Sequence, residues 1–183
     1  MIEVEIKARI ANIQEAKEKI QKSSAQFMRK EEQLDCIFGH PKMLDEDDMV
    51  VEGGYSARLR QVDSKTKLTF KEVLRGKGGI EIESNIGSVE IGRSFLNSLG
   101  FKEAFNLHKI RDIFNLKDVE ISIDEVDLLG NFIEVEKIVD APEKIEAARK
   151  ECQEVLDSLG IKYKIVTKKY GDLMQEIINQ NKK

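Results

Sequence analysis

Met1-Ile-Glu-Val-Glu-Ile-Lys7 places Ile2, Val4 and Ile6 in strict alternation with Glu3, Glu5 and Lys7. A period of two is the mark of a β-strand with one apolar and one charged face. Arg9 extends the charged face. Taken alone, such a strand reads as a solvated sheet edge, where charge discourages pairing with other chains. The same alternation recurs in most later strands, with both signs of charge, and this recurrence turns a local pattern into a fold.

Further strands carry it on. Residues 30 to 39 set Leu34, Cys36 and Phe38 against Gln33 and Asp35. Ala57-Arg-Leu-Arg60 puts Arg58 and Arg60 on one face, and Lys67-Leu-Thr-Phe-Lys71 does the same with Lys67, Thr69 and Lys71. Ile80-Glu-Ile-Glu83 presents Glu81 and Glu83 together. Three more strands are expected over 107–116, 119–126 and 132–139. Their shared faces are Lys109 with Arg111, then Glu120, Ser122 and Asp124, then Glu134 with Glu136. Turns are expected at Arg75-Gly-Lys-Gly-Gly79, which lacks the spacing of a phosphate loop, and at Gly130-Asn131.

Helices separate these strands. Asn12 with Glu15 forms a capping-box pattern ahead of a stripe of Ile13, Ala16, Ile20 and Phe27. Ser88 caps a second helix with Val89, Phe95, Leu96 and Leu99 apolar and Gly100 as terminator. Asp140, Pro142 and Glu143 begin a third, ending at Gly160. A short amphipathic helix with Tyr170, Leu173, Met174 and Ile177 closes the reading. Phe95-Leu-Asn-Ser-Leu-Gly-Phe-Lys102 echoes Val155-Leu-Asp-Ser-Leu-Gly-Ile-Lys162, in both cases a helix end, a glycine and an entering strand. The acidic segment from Pro41 to Gly54 reads as a solvated loop.

The totals set bounds. A length of 183 residues suits a single domain over 1–183. The chain is 35% charged, above the usual quarter, yet its formal net charge is only −4. A basic nucleic-acid surface is therefore not expected, and local pairing outweighs the overall field. No apolar run approaches the ~20 residues of a membrane span, and no signal-peptide pattern is present, so a cytoplasmic protein is expected. Cys36 and Cys152 form neither a metal spacing nor a disulfide framework, and with only His40 and His108 a histidine-rich zinc site is not expected.

Helices can cover the apolar faces; the charged faces go to solvent or to one another. The expectation is an α+β fold in which a closed eight-stranded antiparallel β-barrel turns its charges inward, with helices packed outside. Burying so many charges empty costs several kcal/mol per unpaired ion. Such an interior requires water and a ligand. Lys7, Arg58, Arg60, Lys67, Lys71, Lys109 and Arg111 suit an extended polyanion. Glu3, Glu5, Asp124, Glu134 and Glu136 offer the hard oxygen ligands that Mg2+ and Mn2+ prefer. Together they point to a metal-bound triphosphate.

The residues also resemble a known family. Glu3-x-Glu5-x-Lys7 is similar to the signature of the CYTH, or triphosphate tunnel metalloenzyme, family. Asp35-Cys-Ile-Phe38 followed by His40-Pro41 resembles the second strand of its class IV adenylyl cyclase branch. Ala57-Arg-Leu-Arg60, Leu68-Thr-Phe-Lys71, Lys109-Ile-Arg111, Asp124-Glu-Val126 and Leu129-Gly-Asn-Phe-Ile-Glu-Val-Glu136 follow in family order, and Tyr170-Gly-Asp-Leu173 resembles the closing segment. Cys36 stands where an aromatic is commoner and Gly171 where a serine is commoner.

The resemblance implies an eight-stranded tunnel, a bound nucleotide or other triphosphate, and Mg2+ or Mn2+ as cofactor. It implies conversion of ATP to cyclic AMP and pyrophosphate, with hydrolysis of inorganic or thiamine triphosphate as the alternative. A non-catalytic polyphosphate binder is a third reading, disfavoured by the Glu3/Glu5 and Glu134/Glu136 pairs. Catalytic roles fall on Lys7, Arg111 and Asp124. No nucleic-acid or membrane partner is implied, and a homodimer stays open. The charged residues should line one cavity, with Ile2, Val4 and Ile6 packed outward under helices.

Overall fold

The computed structural model describes residues 2–74 and 80–182; the Arg75–Gly79 turn lies outside them. The elements run β1 (Ile2–Ile10), α1 (Ile13–Lys22), β2 (Gln26–Gly39), β3 (Tyr55–Val62), β4 (Lys65–Glu72), β5 (Glu81–Ile86), α2 (Val89–Ser98), β6 (Lys102–Leu116), β7 (Val119–Val126), β8 (Gly130–Val139), α3 (Ile145–Ser158), β9 (Tyr163–Ile165) and α4 (Tyr170–Asn181). One large antiparallel sheet takes the order β5-β4-β3-β2-β6-β7-β8-β1-β9.

The expected barrel of eight strands is corrected. Nine strands pair among the described residues, and β5 and β9 end the order without pairing to each other. The reason lies at β1. Its outer edge is taken over Ala8–Ile10 by the short β9, and Val166 N–H donates to the Lys7 carbonyl just beyond. Among the described residues β5 pairs only with β4.

By its contacts the chain divides into two compact units. The first comprises Met1–Glu31 and Lys109–Lys168. Here β1 pairs β8 so that Glu5 lies opposite Glu136 and Lys7 opposite Glu134. The apolar side of this sheet carries Ile6, Ala8, Ile121, Ile123, Ile133 and Val135, all buried against Ala16 and Ile20 of α1 and Cys152 and Leu156 of α3. Val4 packs with Val139 and Ala148, with Ile2 alongside. The expected outward packing of Ile2, Val4 and Ile6 under helices is what the unit has. The Asn12 side chain accepts from Glu15 N–H at 3.1 Å, the anticipated cap. Phe27, assigned to the helix stripe, instead belongs to β2, where it meets Phe114 edge-on. The helix stops at Lys22, because Ser23 turns extended and its N–H closes onto the carbonyls of Ile20 and Lys19.

The second unit comprises Glu32–His108 and Lys169–Lys183. Its β2–β5 ladder is antiparallel, with Asp35 opposite Arg60 and Arg58 opposite Thr69. Leu96 of α2 packs onto Phe38, Ala57, Leu59 and Phe101. Phe95 and Leu99, expected to be covered, are more than half exposed. Helical spacing explains the difference: Ile91, Phe95 and Leu99 form their own i, i+4, i+8 stripe, turned away from Leu96. Two further differences are local. Residues 127–129 make the turn placed at Gly130-Asn131, with Leu128 at φ 64°. The 41–54 loop begins with a 3-10 turn over Pro41–Met43.

Candidate active site

In the first unit the alternation seen at Met1–Lys7 builds one charged sheet face. Antiparallel register puts Glu5, Glu136 and Glu120 in a row across β1, β8 and β7, and Lys7, Glu134 and Ser122 in the next row. Asp124 follows, paired across β7 and β6 with Arg111. Directly opposed residues share a face. So Glu3, Glu5, Lys7, Lys109, Arg111, Asp124, Glu134 and Glu136, eight of the candidate residues, lie on one surface of one unit.

This face divides into a cation-rich and a carboxylate-rich end. Arg111 donates from Nε to Asp124 Oδ1 at 2.7 Å and from Nη2 to Oδ2 at 2.6 Å, a bidentate fork, and also pairs with Glu134. Lys109 Nζ reaches Asp124 Oδ2 at 3.3 Å. Lys7 Nζ lies 2.8 Å from Glu5 Oε1 and 3.1 Å from Glu134 Oε1. Asp124 is wholly buried and Lys109 is 2% exposed. Burial opposes the charge on Glu134, yet Arg111, Lys7 and Lys109 hold its carboxyl down to about 2. Burial likewise works against the Lys7 ammonium, and Glu134 with Glu5 still raises it. Both Asp124 oxygens are engaged by cations, so as the chain stands Asp124 orients Arg111 and Lys109.

At the other end, Glu136 sits between Glu5 and Glu120. Burial, then Glu3, Glu120 and Glu5 around it, push the Glu136 carboxyl up to about 8. Like charges placed directly opposite in a sheet repel. Among the described residues no three His, Cys, Asp or Glu side chains are drawn together as a ready-made metal cage. The donor chemistry nonetheless fits a hard divalent cation: carboxylate oxygens in excess of the cations beside them. Mg2+ in particular uses one or two carboxylates and leaves its other positions to water and phosphate.

In the second unit Arg58, Arg60, Lys67 and Lys71 lie on one face of β3 and β4. Arg60 is forked onto Asp35 at 2.7 and 2.6 Å. Arg58 donates to Thr69 Oγ1 at 3.3 Å, while its Nε is buried and finds no hydrogen-bond partner among the described residues. Burial, then the neighbouring Arg60, lower the Arg58 pKa. A buried donor left unmade costs about 1–3 kcal/mol, a deficit that a bound anion would remove.

Three residues of these faces were not placed in the site from sequence: Glu120, Glu81 and Glu83. Their alternation was visible; the signal that places them is register, Glu120 against Glu136, Glu81 against Lys71 and Glu83 against Thr69.

Comparisons with known proteins give the family. The CYTH domain matches residues 1–170, and this chain belongs to the CYTH family. A Methanocaldococcus jannaschii protein provisionally named an adenylate cyclase is 34% identical over 177 residues, covering 94% of this chain and 98% of that one. The Pyrococcus horikoshii protein PH1819 superposes with a TM-score of 0.78 at 30% identity, over 96% of this chain and 99% of the other. A Hippeastrum protein, named an adenylyl cyclase and reported to have a dominant triphosphatase activity, shares the fold with a TM-score of 0.66, over 96% of each chain, at 15% identity. No helix among the described residues is long and apolar enough to cross a membrane.

Proposed function

We propose that this chain is a divalent-metal-dependent enzyme acting on a triphosphate, and that its substrate is ATP, converted to cyclic AMP and pyrophosphate. The observation that carries the reading is the row Glu5–Glu136–Glu120 lying next to the Lys7–Glu134–Arg111–Asp124 constellation on one sheet face. Carboxylates without enough cations, beside cations held in fixed positions, suit a substrate that arrives as a metal–phosphate complex.

Each residue then has a task. Lys7, Lys109 and Arg111 neutralise phosphate oxygens, and Asp124 and Glu134 hold those cations in place, so little reorganisation is needed as charge shifts in the transition state. Glu3, Glu5 and Glu136, joined by Glu120, would hold Mg2+ or Mn2+. The ion supplies Lewis-acid stabilisation of the attacking and leaving oxygens. Arg58, Arg60, Lys67 and Lys71 are assigned to triphosphate binding. The relative from Methanocaldococcus jannaschii supports the cyclase assignment by its name.

A second reading, hydrolysis of inorganic or thiamine triphosphate, is favoured by one observation. On the first unit's charged face the aromatic ring opposite Asp124, that of Phe132, is closed to a stacking base. Phe132 is fully buried, and the Arg9 guanidinium lies 4.6 Å over its ring. The purified protein, incubated with ATP, inorganic triphosphate or thiamine triphosphate and with Mg2+, Mn2+ or EDTA, separates the readings. Cyclic AMP formed only with metal supports the cyclase, and phosphate release from the smaller triphosphates supports the hydrolase. Turnover of none of them, or turnover undiminished in EDTA, overturns the proposal.

A further inference from the structure

The basic face of the second unit already holds three carboxylates: Asp35 of β2, paired with Arg60, and Glu81 and Glu83, both from β5. Lys71 pairs with Glu81. Lys67 Nζ lies 2.9 Å from Glu83 Oε2, and Thr69 Oγ1 donates to Glu83 Oε1 at 2.9 Å. Arg58 Nη2 stands 3.7 Å from Glu83 and 3.9 Å from Glu81. Three of the four candidate phosphate-binding cations in this unit thus face the same two carboxylates. Arg60 differs, being neutralised by Asp35 on the opposite side of β3.

β5 is built to give way. Among the described residues it ends the strand order and pairs on one side only, with β4. Its residues 81–85 are all exposed, and even Ile82, on the apolar side, is 60% exposed. An edge strand with so little buried side chain is drawn from the low-stability end of a fold. Exposed Lys–Glu pairs are weak and easily screened, whereas a polyphosphate brings several charges on one rigid frame to the same donors.

We infer that Glu81 and Glu83 are built-in counter-ions of the basic face, occupying Lys67, Lys71 and Arg58 until a polyphosphate displaces them. The inference rests on the reading of this face as triphosphate-binding and adds to it an energetic threshold. Singly charged anions recover too little to dislodge the carboxylates, while a multiply charged chain recovers more than it breaks. The glutamates therefore weaken affinity and select for charge density.

The test uses inorganic triphosphate as probe, in EDTA, so that a metal-ligand role for these glutamates cannot enter the readout. Binding is measured by calorimetry to the full-length wild type, to E81Q/E83Q, and to E90Q, which removes one charge from the exposed start of α2. Gln preserves shape, and thermal unfolding checks that the variants are folded. The double variant should bind roughly tenfold tighter, with E90Q unchanged. If the double variant does not fold, E81Q and E83Q singly should each tighten binding by about threefold. Unchanged or weaker binding in the glutamine variants, with wild-type binding intact, overturns the counter-ion role and leaves the proposed function standing. Equal tightening in E90Q also overturns it, because the effect is then one of net charge. Absence of binding to every variant including wild type overturns the triphosphate reading itself, and the inference with it.

Discussion

The cation-rich end of the first unit's charged face is buried and interlocked; the β4–β5 side of the second unit's face is open and loosely paired. Asp124, Lys109, Glu134 and Lys7 are all below a tenth exposed; Asp124 and Glu134 both pair with Arg111, and Lys109 and Lys7 share those two carboxylates with it. Lys67 and Lys71 are 46% and 36% exposed and each meets one equally accessible glutamate. Taking ions out of water costs several kcal/mol each, recovered only with near-complete pairing, while exposed pairs are worth about 0–1 kcal/mol. The first face is held together by its own shared ion pairs, whereas the exposed pairs of the second can exchange partners. Residues of identical type thus serve for fixed positioning in one place and for adjustable grip in the other.

The strongest way to break this contrast is Asp124→Asn. It leaves Arg111 and Lys109 as buried cations short of a charge partner, so unfolding free energy should fall by about 3–5 kcal/mol, read by denaturant melts. A loss under about 1 kcal/mol would mean that the face is not interlocked. Next comes Glu136→Gln. Turnover should drop by on the order of a hundredfold or more, while metal-free triphosphate affinity stays level or rises. Wild-type turnover in this variant would remove Glu136 from metal binding.

Arg58→Ala and Lys71→Ala should each lower kcat/KM roughly tenfold with little change in melting temperature. A large stability loss would show that the second face is as interlocked as the first. The smallest effect is on pH. Between pH 4.5, the ordinary Glu value, and about 8, the folded chain keeps the Glu136 proton that the unfolded chain has released. Metal-free stability should therefore decline as pH rises through that window, and Glu136→Gln should flatten the slope. Glu134 acts oppositely: its contribution is present above pH 4.5 and is lost as pH falls toward about 2.

Much of this was legible in the chain. Alternation alone assigns β1, β3, β4, β7 and β8, and puts Glu5 and Glu136 on neighbouring strands if first and last strands meet, which is how β1 and β8 pair. Capping residues located α1 and α2. Three things were not legible, for separate reasons. β9 is three residues long and carries no period to detect. Sheet closure depends on which edge a short strand takes, a choice made in three dimensions. Finally, the two echoing helix ends share residues but not surroundings. Leu159 is buried beside Leu156, within the cluster that α1 joins, while its counterpart Leu99 is 54% exposed. Both helices end at a glycine with positive φ, Gly160 at 63° and Gly100 at 88°, so local chemistry repeats while coverage does not.

Glu136 has one further consequence, in thermochemistry. With its carboxyl pushed up to about 8 by burial and by Glu3, Glu120 and Glu5, it is expected to keep a proton at neutral pH. A divalent cation that takes this oxygen must send the proton into solution. The heat measured on adding Mg2+ then contains the ionisation heat of whatever buffer receives it. Titrations in Tris and in PIPES at pH 7, whose ionisation heats differ widely, should give unequal apparent enthalpies at the same affinity. In Glu136→Gln, with no proton to surrender, that difference should vanish. If the proposed metal site is right, the crowding of Glu5, Glu136 and Glu120 is readable as a hydrogen ion exchanged for a metal ion, counted on a calorimeter without any turnover.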